Sequence, residues 1–351
     1  MHLPGLSRIR REWKRVRNRY RPSGLILLYH RVAEPSSDPQ LLSVTPQRFF
    51  QHLAHLSDHY EVVGLEELME RLAGGGRATA RLVAVTFDDG YADNLHHAKS
   101  ILEAHGMPAT VFVATGLLDQ QQCFWWDDLE RIFLRASALP KLLRLEIAGQ
   151  VHEWDLGSDA CYRSEREILH RAWNVLRSDD PTARHRIYRS LCRILRPMSA
   201  AARQTLLDLL WEWAGYESEG ACDARLLTSQ EIRQLAGGGR IRVGAHTMSH
   251  PVLAALPIDS QLREIAESKG CLEDILGRPV TSFAYPYGTR ADYTEQTAKL
   301  VREQGFSFAC SNYPDTVTER TDAYELPRFV VRNWSGERFA STVKAWFDGA
   351  V

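Results

Sequence analysis

The chain alternates short, wholly apolar runs with longer stretches in which apolar residues recur every three or four positions. Seven runs, at residues 25–29, 82–87, 111–114, 241–245, 282–285, 306–309 and 329–331, read as buried strands. Helical signals lie between several of them. Thr45 is placed as an N-cap with Pro46 at the first helical position, and Phe49, Phe50, Leu53 and Leu56 mark one face of the helix that follows. Thr228 and Glu231 form a capping-box pattern ahead of Ile232 and Leu235. Residues 258–276 and 291–303 also read as helices. Strand–helix alternation of this kind implies an α/β fold with a largely parallel sheet, open or closed into a barrel.

The rhythm breaks between residues 123 and 225. Helical spacing recurs there at Ile168, Ala172, Trp173 and Leu176, at Ile187, Leu191, Ile194 and Leu195, and at Leu206, Leu210 and Trp213. Residues 145–154 carry the pattern of a hairpin. The chain therefore divides into a basic arm (1–24), a first half-domain (25–122), a mostly helical insertion (123–225) and a second half-domain (226–351). The glycine triplets at 74–76 and 237–239 are turns and lack the phosphate-loop pattern.

Charge changes this picture only locally. The 351 residues carry a net charge of -1, which gives no field for drawing in nucleic acid. Arg8, Arg10, Arg11, Lys14, Arg15, Arg17, Arg19 and Arg21 are opposed only by Glu12, while Leu3, Leu6, Ile9, Trp13, Val16 and Tyr20 recur at helical steps. Residues 1–22 thus read as a basic amphipathic helix, suited to an anionic membrane surface or to docking on its own domain. No apolar stretch approaches the roughly 20 residues of a membrane span, and no secretory core with a cleavage site follows the arm. A cytoplasmic location is expected on that basis. Six cysteines occur without a CxxC pair, and reduced thiols are the expectation for a chain of this size.

Three segments carry candidate chemistry. Asp88 and Asp89 stand at the end of the run 82–87, and strand ends are where parallel α/β architectures gather ligands. Two adjacent carboxylates repel unless a cation takes one and leaves the other as a base; the plain alternative is a helix cap with a spare charge. His246 and His250 follow the run 241–245 at a spacing familiar for metal ligands, or else are two surface histidines. Tyr285, Pro286, Tyr287 and Gly288 end the run 282–285 in a turn that can aim backbone N–H groups at one spot, or simply end a strand.

The segments TFDDG (86–90), HTMSH (246–250) and FAYPYG (283–288), in this order, resemble the polysaccharide deacetylase family, the NodB-homology group of carbohydrate esterase family 4. The resemblance spans roughly residues 25–334. It implies a distorted (β/α) barrel of about seven parallel strands, here with a helical insertion, a divalent metal, and deacetylation of carbohydrate. Matched to the family pattern, Asp88 resembles the general base, and Asp89, His246 and His250 the metal ligands. Tyr287 matches the residue whose N–H holds the oxyanion, and Tyr285, Pro286 and Gly288 surround the acetyl group. Zinc suits the ligand set, as do other first-row divalents.

Two positions depart from the pattern. The arginine that steadies the catalytic aspartate in many members is absent from the third segment, and Arg328 is the candidate replacement, a structural ion pair being the alternative. The late Leu-x-His motif is missing as well. The run Leu27-Leu28-Tyr29-His30-Arg31-Val32 instead resembles a branch whose catalytic histidine lies near the N-terminus, as in deacetylases of poly-N-acetylglucosamine, so that His30 becomes the candidate general acid. The substrate so implied is an N-acetylated amino sugar in a polysaccharide or in a lipid- or nucleotide-linked precursor. Hydrolysis of another C–N bond, in a cyclic ureide or imide, and a catalytically silent carbohydrate-binding role are the rivals. Trp125, Trp126, Asp127 and Asp128 suggest either sugar stacking or packing of the insertion. Asp93 and Asn94 are expected to support the loop after Asp89 and start the next helix.

Overall fold

A computed structural model of the chain describes residues 23–74, 81–120, 122–215 and 223–349; the arm read at 1–22 lies outside them. The chain forms two compact units. The first comprises Met1–Glu34, Leu42–Asp119 and Leu226–Val351, and the second Pro35–Leu41 and Gln120–Arg225.

In the first unit the apolar runs become strands. In chain order the elements are β1 (Gly24–Tyr29), β2 (Arg31–Val32), β3 (Ser43–Val44), α1 (Pro46–His59), β4 (Glu61–Val62), α2 (Leu65–Ala73), β5 (Leu82–Phe87), α3 (Lys99–Ala104) and β6 (Ala109–Val113). After the excursion to the second unit come α4 (Ser229–Ala236), β7 (Ile241–Ala245), α5 (Ile258–Leu276), β8 (Ser282–Ala284), α6 (Glu295–Glu303), β9 (Phe308–Cys310), β10 (Phe329–Val330) and α7 (Gly336–Phe347). The sheet runs β9-β8-β7-β6-β5-β1-β10, a path of seven strands as expected, with the short β4 added beside β5. Every pairing within it is parallel. Leu326, just ahead of β10, bridges in parallel to Cys310 of β9, which brings the two ends of the sheet together as a distorted (β/α) barrel.

Alternation along the strands sorts the core into two layers. Leu25, Leu27, Tyr29, Val83, Val85, Phe87, Val111 and Val113 join the apolar faces of the helices, including Phe49, Leu53 and Leu56 of α1 and Ile265 and Leu272 of α5. Their neighbours Ile26, Ala84, Phe112 and Ala284 form the second layer with Leu65, Leu68 and Leu72 of α2. Gly244 belongs beside Phe112: a Cβ there would lie 2.5 Å from the ring. Caps fix the helix starts. Thr45 accepts from Arg48 N, and Thr228 and Glu231 form their reciprocal box. The helix expected from 291 begins only at Glu295. Asp292 accepts from Thr289 N at 2.9 Å to make a turn, and a Thr294–Thr297 box opens the helix after it.

The second unit is helical with one hairpin. Strands Leu142–Ile147 and Gln150–Asp155 pair antiparallel, longer than the expected 145–154. Helices Ala183–Leu195 and Ala200–Ala214 follow the predicted spacings. The helix through Ile168 stops at His170, short of Trp173 and Leu176. Trp173 Nε1 donates to Asp179 O at 2.9 Å and Asn174 Oδ1 accepts from Leu176 N at 3.1 Å, so side chains compete with the helical backbone there. Cys123 is disulfide-bonded, against the expectation of reduced thiols, whereas Cys161, Cys192, Cys271 and Cys310 are free. Among the described residues no helix is long and apolar enough to cross a membrane.

Candidate active site

Strand register brings the three segments to one end of the barrel. Tyr29 pairs with Phe87, Phe87 with Val111, Val113 with Ala245, and Ala245 with Phe283. The residues that follow these positions, at 30, 88, 246 and 284–285, therefore leave the sheet at a common level, where the C-terminal ends of parallel strands present their loops.

The adjacent carboxylates have different partners. Arg328 donates to both oxygens of Asp88, from Nη1 to Oδ1 at 2.7 Å and from Nη2 to Oδ2 at 2.6 Å. Two further donors are directed by the Ser311 carbonyl at 2.8 Å and by Thr86 Oγ1 at 3.3 Å, and the side chain is wholly buried. The bidentate fork fixes the plane of the Asp88 carboxylate. Burial would raise the Asp88 pKa, but Arg328, with His246 and His30, more than offsets it and holds the group ionised. Asp89 Oδ1 is buried and meets no donor in hydrogen-bonding geometry. It lies 3.5 Å from His246 Nε2 and 3.3 Å from His250 Nε2. Burial pushes its pKa up as well, and the two imidazoles more than reverse that.

The histidine turn is strained and supported from two sides. Asp89, Thr247, His250 and Tyr287 have φ of 75°, 64°, 52° and 60°, four of the seven non-glycine residues in the left-handed region among the described residues. Such backbone persists only where its surroundings over-determine it. Thr115 N donates to Thr247 O at 3.1 Å and Gly116 N to Met248 O at 2.8 Å; a Cβ at Gly116 would sit 2.8 Å from that same oxygen. On the other side Glu264 of α5 accepts from Met248 N and Ser249 N, both at 2.9 Å, and from Ser249 Oγ at 2.6 Å. His246 Nδ1 pairs with Ala284 O at 2.7 Å, which leaves Nε2 to face Asp89. Burial would lower the His246 pKa, but Asp88 and Asp89 raise it.

The third segment divides by residue. Tyr285 is core: its hydroxyl donates to Tyr324 O at 2.9 Å and its ring stacks on Tyr293 at 4.0 Å. Pro286 and Gly288 are buried. Tyr287 stands edge-on to His250 with ring centroids 4.6 Å apart. Asn312 clamps this turn, donating from Nδ2 to Tyr287 O at 3.0 Å and from its backbone N to Gly288 O at 2.7 Å. His30 is half-buried and close enough for Asp89 and Asp88 to raise its pKa, although burial prevails and lowers it. Asp93 and Asn94 serve the segment around His30. Asp93 accepts from Val32 N and Arg31 Nε, both at 2.9 Å, and Asn94 Nδ2 donates to His30 O at 2.9 Å. In the second unit Trp125 and Trp126 are packed side chains with ring centroids 5.2 Å apart, and Phe124 stacks on Trp126 at 4.4 Å.

Sequence reasoning missed Glu264, Ser311 and Asn312. None of the three belongs to a short motif; each is defined by the turn or side chain it meets across the barrel.

Asp89, His246 and His250 form a three-residue group whose ligand atoms lie within 4.8 Å of one another. An unsatisfied buried carboxylate oxygen, facing two imidazole Nε2 atoms with one tautomer set by a backbone carbonyl, fits a divalent cation. A parallel barrel with this cluster at the C-terminal ends of its strands has the build of a hydrolase site. Residues 75–139 and 204–309 match the family model described as Polysaccharide deacetylase. The chain is 34% identical over 322 residues to YxkH of Bacillus subtilis (strain 168), a polysaccharide deacetylase by name, covering 91% of this chain and 76% of that protein. Its fold resembles those of the Streptococcus pyogenes deacetylase PplD (TM-score 0.57, 18% identity, 91% of this chain and 97% of that one) and of IcaB from Ammonifex degensii (TM-score 0.55, 20% identity, 93% and 97%). The chain belongs to the polysaccharide deacetylase family.

Proposed function

We propose that the chain is a metal-dependent hydrolase that removes N-acetyl groups from an N-acetylated amino sugar in a polysaccharide or glycan precursor. The observation that carries this reading is the unequal treatment of two neighbouring carboxylates. Asp88 is gripped by Arg328, while Asp89 Oδ1 faces His246 and His250 and meets no donor in hydrogen-bonding geometry. One aspartate is thereby oriented as a base and the other kept for a cation.

A divalent cation, zinc most readily, held by Asp89, His246 and His250 supplies Lewis acidity and a more acidic water. Asp88 takes the proton of the attacking water. Its ionised state suits that task, and Arg328 keeps its plane fixed as the proton arrives. The Tyr287 N–H, in a turn locked by Asn312, is assigned to the developing oxyanion, where a preorganised donor counts most. Tyr285, Pro286 and Gly288 shape that turn. His30 is assigned to protonate the departing nitrogen. Burial lowers its pKa in the free site, and the proton that Asp88 takes from the attacking water balances the one His30 passes to the nitrogen.

Catalysis is assigned to residues 25–122 and 226–351. The basic arm at 1–22 is assigned to an anionic membrane face, tested by vesicle flotation with and without it. A cytoplasmic location fits a precursor substrate, but the disulfide at Cys123 favours an oxidising compartment. The function is tested by acetate release from N-acetylhexosamine oligomers, lipid-linked sugars and sugar nucleotides, with and without chelator. Release is expected from one of these classes and is lost on chelation; an undiminished rate after metal removal sinks the reading.

A further inference from the structure

We propose that Glu264 is a positioning residue for the turn 247–250, and that its carboxylate sets how tightly His246, His250 and Asp89 hold a metal. The proposal rests on the metal-site reading above, and no resemblance motif includes this residue.

Glu264 lies seven residues into α5, half-buried. Its neighbours fix the helix in place. Ile265 is fully buried in the core, and the buried Gln261 donates to Leu256 O at 2.9 Å and accepts from Thr297 Oγ1 at 2.7 Å. The carboxylate is therefore held where the turn must meet it. Among the described residues it forms no ion pair; its oxygens serve Met248 N, Ser249 N and Ser249 Oγ instead. Two consecutive N–H groups converging on one anionic oxygen make the concave nest that backbone forms around an anion.

Strain explains why the turn needs this anion. Thr247 and His250 both hold positive φ, a conformation that side chains with a Cβ leave readily unless they are tied down. The carbonyls of Thr247 and Met248 are held by the backbone of the loop after β6. The N–H groups of Met248 and Ser249 are held by Glu264. Without Glu264 the turn keeps one support of two, and His250, one residue beyond Ser249, loses its fixed position relative to Asp89.

The test uses the full chain with Glu264→Ala and Glu264→Gln. Alanine keeps the helix, and circular dichroism checks the fold. Zinc affinity, read by competition with a chromogenic chelator, is expected to weaken about 10- to 100-fold in the Ala variant, the range seen when outer-shell partners of a metal site are removed. The Gln variant should recover part of it, since an amide oxygen still accepts the two N–H bonds. In metal-free protein the Met248 and Ser249 amides of the Ala variant should exchange at least about tenfold faster, with the β5 and β7 amides unchanged. Zinc affinity within twofold of the unaltered chain, or unchanged exchange at both amides, overturns the proposal. If the unaltered chain binds no zinc and His246→Ala makes no difference, the metal-site reading fails instead, and the exchange rates alone still decide whether Glu264 holds the turn.

Discussion

Among the described residues the most deeply buried arginine of each compact unit, Arg328 in one and Arg184 in the other, differs from its counterpart in what it bonds. Arg328, in the barrel, spends two donors on the Asp88 carboxylate. Arg184, in the helical unit, donates to four backbone carbonyls, those of Asp159 (2.6 Å), Phe133 (3.3 Å), Ala136 (2.5 Å) and Ala160 (2.7 Å). Bonded to carbonyls, a guanidinium staples chain segments that have no regular partner of their own. Bonded to a single carboxylate, it orients and ionises a group that can do chemistry. Backbone strain is weighted toward the site, although Leu41 and Ala148 of the second unit also hold positive φ. Asp89, Thr247, His250 and Tyr287 are all in the barrel unit and all at the candidate site. The exposed large apolar side chains fall mostly in the other unit, at Ile168, Leu169 and Leu176 among others. Burial of charge does not by itself mark a site; the identity of the partner does.

The largest effect expected from this contrast is on turnover. Asp88→Asn should lower the rate of acetate release about 10²- to 10⁴-fold while zinc content stays near one equivalent by elemental analysis. A near-normal rate would remove Asp88 as the base and reduce its pairing with Arg328 to a structural one.

Arg184→Met should destabilise the second unit by about 3–5 kcal/mol, because four carbonyls lose a charged donor at once. Urea unfolding followed by exchange of the Ala183–Leu195 amides reads this directly. A loss under about 1 kcal/mol would show that water or other donors replace the staple.

Acid should weaken both units through different histidines. Burial first of all pushes His52 in the barrel and His185 in the helical unit down from 6.5 to about 4. With the folded value below the unfolded one, the unfolded chain binds more protons between these limits. Stability is thus full above pH 6.5 and falls as pH drops toward about 4. Each histidine should account for roughly 3 kcal/mol. In His185→Gln the helical unit should lose this dependence and the barrel keep it; loss in both would mean that the units do not unfold independently.

The smallest effect concerns a cap. Thr228→Ala opens the reciprocal box at the start of α4 and should cost about 1 kcal/mol by urea unfolding, without a change in zinc affinity.

The strand pattern and the caps were legible because they are local. The runs 82–87 and 241–245 coincide with β5 and β7, the helix read at 258–276 is α5, and the Thr45 and Thr228 caps form as read. Side chains three or four positions apart carry all the information those elements need. The readings that missed failed where side chains bond their own backbone. Asn174 and Trp173 ended a helix early, and Asp292 with Thr289 delayed another.

At the site, sequence alone placed Asp88, Asp89, His246, His250 and the Tyr287 turn at strand ends, and parallel pairing then had to bring them together. It named Arg328 only as a candidate for the missing family arginine. The choice was made by the barrel, which closes so that a residue 240 positions away lies within hydrogen-bonding distance of Asp88. Glu264 and Asn312 left no trace in the chain, because each serves a turn whose amides and carbonyls exist as targets only after folding. Local periodicity fixes which segments become strands and helices. Which carboxylate keeps a guanidinium, and which is left facing two imidazoles, is a property of three-dimensional proximity and of the buried environment that makes each pairing strong.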